Sequence, residues 1–206
     1  MVKIIKIRES NEAEVILEFL KGEIESNRFS QNLNKVLKEL KLDKSIIVSA
    51  DLNNKEENLK RLEIMHKFRG YPDEDMFFNF PKINKWSLYK LESSDLDNCY
   101  FIDYDYWNEL SSQTSLPKEA AKTILKGIEI YDVSNEQYIS AKKCLENGGK
   151  FPPIIVITCN EEKYLIIEGH LRMTAYALVS TFSDAYVFVG KCSQTDMFIF
   201  DKRMVR

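Results

Sequence analysis

Tyr164-Leu165-Ile166-Ile167-Glu168-Gly169-His170-Leu171-Arg172-Met173-Thr174-Ala175-Tyr176-Ala177-Leu178 changes its period halfway along, and that change decides the fold. The first four residues are apolar at every position, as a strand buried on both faces requires. Glu168 and Gly169 break the run. From Leu171 the apolar positions take helical spacing, with Leu171, Ala175 and Leu178 on one face. Strand, glycine turn and helix in immediate succession are a building unit of α/β folds.

The same stretch carries the strongest candidate site. Gly169 allows a sharp turn and the close approach of a ligand. The helix after it presents unpaired N–H groups with the positive end of its dipole behind them, a geometry that binds anions. The reading assigns phosphate contact to Gly169 and the N–H groups that follow it. Arg172 neutralises the phosphate with a fork of donors matched to it. His170 donates a hydrogen bond or moves a proton, and Glu168 orients Arg172, holds a metal or acts as a base. The competing reading is an ion pair between Glu168 and Arg172 across the first turn, with His170 as a partly exposed cap.

Working outward, Pro152-Pro153 sets an extended entry into a strand Ile154–Thr158, followed by a polar turn from Asn160 to Lys163. Upstream, Ser134 and Gln137 form the pattern of a capping box for a helix that runs to Asn147 before Gly148-Gly149. Pro117 opens a helix that ends at Gly127. Trp86–Leu91, Cys99–Ile102 and Tyr186–Val189 read as strands, Asp105–Leu110 as a short helix, and Asp196–Arg206 fits either helix or strand. The first third is mainly helical. Asn11 caps a helix with Ile16, Phe19, Leu20 and Ile24 on one face, and Leu33, Val36, Leu37 and Leu40 make a second stripe. Ser45–Val48 reads as a short buried strand. A helix from Lys55 to Arg69 is expected to bury Leu59, Leu62, Met65 and Phe68 and to stop at Gly70. Met1–Arg8 alternates apolar and charged residues as a strand does. The irregular segment Tyr71–Lys85 packs its aromatics inward and marks the boundary between a helical N-terminal portion, 1–84, and a mixed α/β domain, 85–206.

Composition narrows the function. The 206 residues carry a net charge of −3, with 44 % hydrophobic and 30 % charged residues, so no general basic footprint for nucleic acid exists. No apolar run is long enough to span a bilayer and the N-terminus lacks a signal peptide's apolar block, which places the chain in the cytoplasm with no membrane partner. The four cysteines, Cys99, Cys144, Cys159 and Cys192, are scattered and support neither a zinc site nor a redox pair.

Residues Trp86 to Val189 resemble the ParB N-terminal/sulfiredoxin fold. The likeness rests on the helix Ser134–Lys150, the Phe151-Pro152-Pro153-Ile154-Ile155-Val156 strand entry, the strand Tyr164–Ile167, and Gly169-His170-Leu171-Arg172-Met173-Thr174-Ala175, which follows a Gly-x-x-Arg-x-x-Ala pattern. The resemblance implies nucleotide phosphates at the turn. ParB proteins carry Gly-Glu-Arg-Arg there, so an acid and one arginine are missing. His170 stands where sulfiredoxins place their cysteine, so that activity is not expected. The motif is most similar to the Asp-Gly-His-His-Arg of free-serine kinases, with Glu168 for the Asp and Leu171 for the second His. The whole chain also resembles bacterial proteins that carry this module after a helical N-terminal part. The expectation is a nucleotide- or phosphate-binding protein, taking ATP, ADP or CTP with Mg²⁺, acting as phosphotransferase or NTP hydrolase through Glu168 and His170. The alternatives are a nucleotide-gated module for DNA or protein, or an interaction protein with a degenerate site.

Other candidates have plainer readings beside them. Asp103, Asp105 and Glu109 are clustered acids that suit Mg²⁺ or a strand end with acids outward. Ser111-Ser112-Gln113-Thr114-Ser115 suits phosphate contact or capping before Pro117. His66 is a surface cation near a helix C-terminus, and Lys60, Arg61, Lys67 and Arg69 make a solvated basic face.

Overall fold

The computed structural model describes residues 5–26, 28–182 and 184–205. Its strands are β1 (Ile5–Ser10), β2 (Lys85–Leu91), β3 (Cys99–Tyr100), β4 (Ile154–Thr158), β5 (Tyr164–Glu168) and β6 (Ala185–Lys191). They form one mixed sheet in the order β1-β2-β6-β4-β5-β3. The β4–β6 and β3–β5 pairs are parallel; β1–β2, β2–β6 and β4–β5 are antiparallel. The helices are α1 (Glu12–Ile24), α2 (Ser30–Glu39), α3 (Ser45–Val48), α4 (Lys55–Arg69), α5 (Asp105–Leu110), α6 (Pro117–Leu125), α7 (Glu136–Glu146), α8 (His170–Leu178) and α9 (Gln194–Phe200). The chain is a mixed α/β protein.

Alternation along the central strands divides the interior in two. Ile155, Ile157, Leu165, Ile167 and Phe188 face a core shared with α1 to α4 and with Met197 of α9. Ile154, Val156, Tyr164, Ile166, Val187 and Val189 face the other way, onto α6, α7 and α8. Strands buried on both faces must be apolar throughout, which is why β4 and β5 read as continuous runs. Trp86 lies across Gly190 in the β2–β6 pairing. A Cβ at Gly190 would sit 2.7 Å from the indole, so the ring occupies the space a side chain would need.

The helical N-terminal stretch follows its periodicity with instructive exceptions. Asn11 caps α1 by accepting from Glu14 N–H at 3.0 Å, and Gly70 ends α4 with φ 77°. The Met1–Arg8 strand is present as Ile5–Ser10; residues 1–4 lie outside the described residues. Ser45–Val48 is not a strand but a helical turn, started by Asp43 accepting from Ser45 N–H at 2.8 Å. Its Ile46 and Ile47 are buried against the helices, so apolar content alone could not separate the two states. In α4 the buried face is Arg61, Ile64 and Met65, while Leu59 is 66 % exposed. Of the expected stripe, Met65 is buried and Leu62 and Phe68 pack half-buried against the core while Leu59 faces out, and the expected basic face is corrected because Arg61 is fully buried. Its guanidinium donates to the Ile46 carbonyl at 2.9 Å, the Asp51 carbonyl at 3.0 Å, Glu57 at 3.1 Å, and Asn58. It fastens α3 and the following turn to α4. His66 is exposed, as its place near the helix end suggests.

Elsewhere the capping box is not formed: Asn135 is the N-cap of α7, and Ser134 accepts from Glu136 N–H at 3.2 Å. The third strand is short because Phe101 N–H turns away to the Ser115 carbonyl at 2.8 Å. The ambiguous tail resolves to α9 and a 3₁₀ turn at Lys202–Met204. Between α4 and β2, Tyr71, Phe77 and Phe80 pack edge-on, with Tyr71–Phe77 and Phe77–Phe80 both at 5.0 Å, whereas Phe78 is 68 % exposed.

Arg61 gives the first test. Arg61→Ala leaves two carbonyls and a carboxylate without their donor and should lower unfolding free energy by about 3 kcal/mol or more. At about 2–4 °C per kcal/mol for a chain this size, the melting temperature should fall by roughly 6 °C or more. A loss below about 0.5 kcal/mol in urea unfolding, as for an exposed basic face, would contradict the assignment.

Candidate functional site

Glu168 is the last residue of β5 and His170 the first of α8, so a single residue turns the chain. Gly169 does this with φ 95°, in the left-handed region. A Cβ there would also lie 3.0 Å from Ile154 and 3.2 Å from the Arg172 guanidinium. Glycine is thus needed for both conformation and space. No side chain caps α8 and no acid sits in its first turn. The first backbone bond of the helix runs from Met173 N–H to the Gly169 carbonyl at 2.8 Å. The N–H groups of His170, Leu171 and Arg172 remain as its orphan donors.

Arg172 folds back over this turn. Nη2 donates to Glu168 Oε1 at 2.6 Å, and Nη1 donates to the carbonyls of Pro152 and Pro153 at 2.9 and 2.8 Å. The side chain is 13 % exposed. Both halves of the sequence reading meet here: the residues assemble at a helix N-terminus, and Glu168 pairs with Arg172.

The site is covered by an element that sequence reasoning did not connect to it. Gly22 of α1 lies against the ion pair, its Cβ position 3.3 Å from Glu168 Oε1 and 3.8 Å from Arg172 Nη2. The next residue, Glu23, is 6 % exposed and pairs through Oε1 with Arg69 of α4 at 2.9 Å. Glu23 Oε2 is enclosed with no hydrogen-bond partner among the described residues, as is Arg69 Nε. Burial lifts the Glu23 carboxyl above its ordinary range; Arg69 partly offsets this, and the Glu168 charge adds to the rise. Arg69 and Arg28 both stack on the Phe29 ring, 4.0 and 4.8 Å from its centroid. The available signal for Glu23 was its position, three and four residues after Leu20 and Phe19 on the apolar stripe of α1.

His170 departs from expectation. It stacks on Trp107 at 5.0 Å and 11° and on Phe101 at 5.8 Å and 25°. The residue keeps some exposure, but its Nε2 is enclosed and makes no hydrogen bond among the described residues. Desolvation pushes its pKa down to about 4, against the opposing pull of Glu168 and together with the Arg172 charge. The ring is therefore neutral near pH 7 and is neither a solvent-facing cap nor a ready proton carrier. Behind the stack, the hydroxyls of Tyr106 and Tyr138 meet at 3.1 Å.

The other candidates separate from this turn. Asp103 accepts from Asn108 at 2.8 Å and Glu109 from Gln113 at 2.9 Å. Among the described residues, no three of His, Cys, Asp or Glu come together at metal-binding spacing. Gln113, Thr114 and Ser115 of the hydroxyl-rich loop line, with Tyr100, Asp103, Asn108, Arg203 and Met204, a cavity of about 240 Å³. Arg203 is tied to Asp201, to Ser115 Oγ at 2.8 Å and to the Phe101 carbonyl at 3.1 Å. Phe101 links the two places, its ring in the His170 stack and its carbonyl beside the cavity. No helix among the described residues is long and apolar enough to cross a membrane.

Comparison with protein-family models, with curated proteins and with solved structures returns no match in any of the three.

The histidine supplies a pH test. Folding favours the neutral ring, so its stabilisation is complete above the ordinary value of 6.5 and is lost as pH falls toward 4. Between about pH 7 and about pH 4.5, wild type should lose roughly 2 kcal/mol more stability than His170→Gln. Urea midpoints at both pH values measure this. Parallel pH slopes in the two proteins would refute an enclosed neutral ring.

Proposed function

We propose that the protein binds a phosphate-bearing ligand, a nucleotide such as ATP, ADP or CTP carried with Mg²⁺, at Gly169, His170 and Arg172 of a ParB/sulfiredoxin-like domain. One observation carries the reading: the N-terminus of α8 has no side-chain cap, and a guanidinium is already fixed on its flank. Orphan N–H donors, the dipole and a preset cation all favour an anion at that point. Holding Arg172 in place beforehand reduces the side-chain entropy lost on binding.

The chemistry favours binding over turnover. Glu168 is committed to Arg172, which lowers its value as a free base, and His170 lies well below the pH range for proton transfer at neutrality. The second reading, an interaction protein whose former site satisfies itself, draws on the three acceptors that already surround Arg172. DNA fits less well, given the net charge of −3.

Calorimetric titration with pyrophosphate, ATP and CTP separates the readings. Wild type should bind at least one of them. Arg172→Met, checked for fold by circular dichroism, should bind roughly 10- to 100-fold more weakly, the loss of a charge-assisted bond of about 1.5–3 kcal/mol. Saturation at 100 times the dissociation constant should also stabilise wild type by about 2.7 kcal/mol. Undiminished affinity in the folded variant, or no binding by wild type, would favour the self-satisfied interaction protein.

A further inference from the structure

We propose that Glu23 and Glu168 together hold a divalent cation, Mg²⁺ by its chemistry, that enters the α8 turn bound to the ligand's phosphates. The inference rests on the phosphate reading of that turn and adds to it a residue from outside the motif.

The two carboxylates come from different layers of the fold and meet through tertiary packing. A Cβ on Gly22 would lie 3.3 Å from Glu168 Oε1, so α1 passes close to that carboxylate, and Glu23 follows Gly22 on the same helix. Each carboxylate uses Oε1 for its own arginine, Glu23 with Arg69 at 2.9 Å and Glu168 with Arg172 at 2.6 Å. The arrangement is thus Arg69–Glu23 facing Glu168–Arg172. Each arginine fixes one oxygen of its partner, and Glu23 Oε2 is left enclosed without a donor in a side chain only 7 % exposed. An enclosed carboxylate oxygen without a partner is unfavourable and is rare in folded proteins. Burial raises the Glu23 carboxyl above its ordinary range, and the charge of the neighbouring Glu168 carboxylate raises it further. A cation between them removes both penalties.

Charge selects how the cation arrives. Arg28, Arg69 and Arg172 carry three positive charges in this cluster, against the two negative charges of Glu23 and Glu168. The Arg28 guanidinium lies over the Phe29 ring and makes no ion pair or guanidinium hydrogen bond among the described residues, while its charge reaches Glu23. The net positive cluster attracts phosphate and opposes a bare cation. Mg²⁺ is commonly held by one or two carboxylates with substrate phosphates and water completing its octahedron, rather than by a cage of protein ligands. Two carboxylates are sufficient for that mode. Binding should therefore be cooperative: phosphate first makes the site negative, and the cation then bridges phosphate to Glu23 and Glu168.

Titration of pyrophosphate into the full chain, once in EDTA and once in excess Mg²⁺, tests this. Wild type should gain at least tenfold in affinity with Mg²⁺. Glu23→Gln should bind at least as tightly as wild type in EDTA, because a negative charge beside the anion is gone, and should show less than a twofold gain with Mg²⁺. In wild type, Mn²⁺ added with pyrophosphate should broaden the amide signals of Glu23 and Gly169 selectively, an observation that needs no variant if Glu23→Gln fails to fold. Pyrophosphate binding that is indifferent to Mg²⁺, an undiminished gain in folded Glu23→Gln, or broadening elsewhere would overturn the cation site and leave the phosphate reading standing. No pyrophosphate binding under either condition would overturn both.

Discussion

The guanidinium of Arg172 ties together three parts of the chain around one turn. It bonds the carbonyls that lead into β4, the carboxylate that ends β5, and it does so from the first turn of α8. Pro152 and Pro153 have no N–H, and their carbonyls lie just ahead of the β4 ladder; Arg172 supplies their donors. The left-handed Gly169 lets the helix begin immediately after the strand, and this places Arg172 within reach of all three acceptors. An alanine there would press on both Ile154 and the guanidinium, so turn and clamp depend on the same missing side chain.

That dependence also explains how a structural clamp can serve a binding site. A cation held in place by two neutral carbonyls and one carboxylate is preset at the mouth of a helix N-terminus, whose dipole also favours an anion. The layer of N-terminal helices contributes the counterweight. Glu23 and Arg69 bring a second acid–base pair to the turn, and the close approach is possible because α1 presents Gly22 at the contact. The carboxylates and arginines consequently gather where β5 ends and the chain enters β4, with α1 alongside.

Much of the architecture was legible because β4, β5 and α8 have unambiguous periods. Ile154–Thr158 and Tyr164–Ile167 are too continuously apolar for a half-exposed strand, and Leu171, Ala175 and Leu178 repeat as a helix does. Short segments were less legible. Ser45–Val48 has the composition of a strand, yet no neighbouring strand is available, and Asp43 offers its backbone a helical start. Arg61 was misread because charge usually marks the solvated face, whereas here its two terminal nitrogens find the carbonyls of Ile46 and Asp51. At the site, the turn residues were readable from local spacing. His170's packing against Trp107 and Phe101 was not, since both aromatics lie more than sixty residues away in the chain. Glu23 gave a faint signal, an acid on an apolar helical stripe, whose meaning needed the fold to bring α1 beside the turn between β5 and α8.

The central claim is that an anion sits on the N-terminus of α8. Backbone amide signals followed by nuclear magnetic resonance during addition of pyrophosphate test it most directly. The account predicts saturable, concerted shifts largest at the amides of His170, Leu171 and Arg172, the orphan donors of that helix. Shifts centred instead on the Ser111–Ser115 loop and Arg203, or no shifts at saturating ligand, would contradict it.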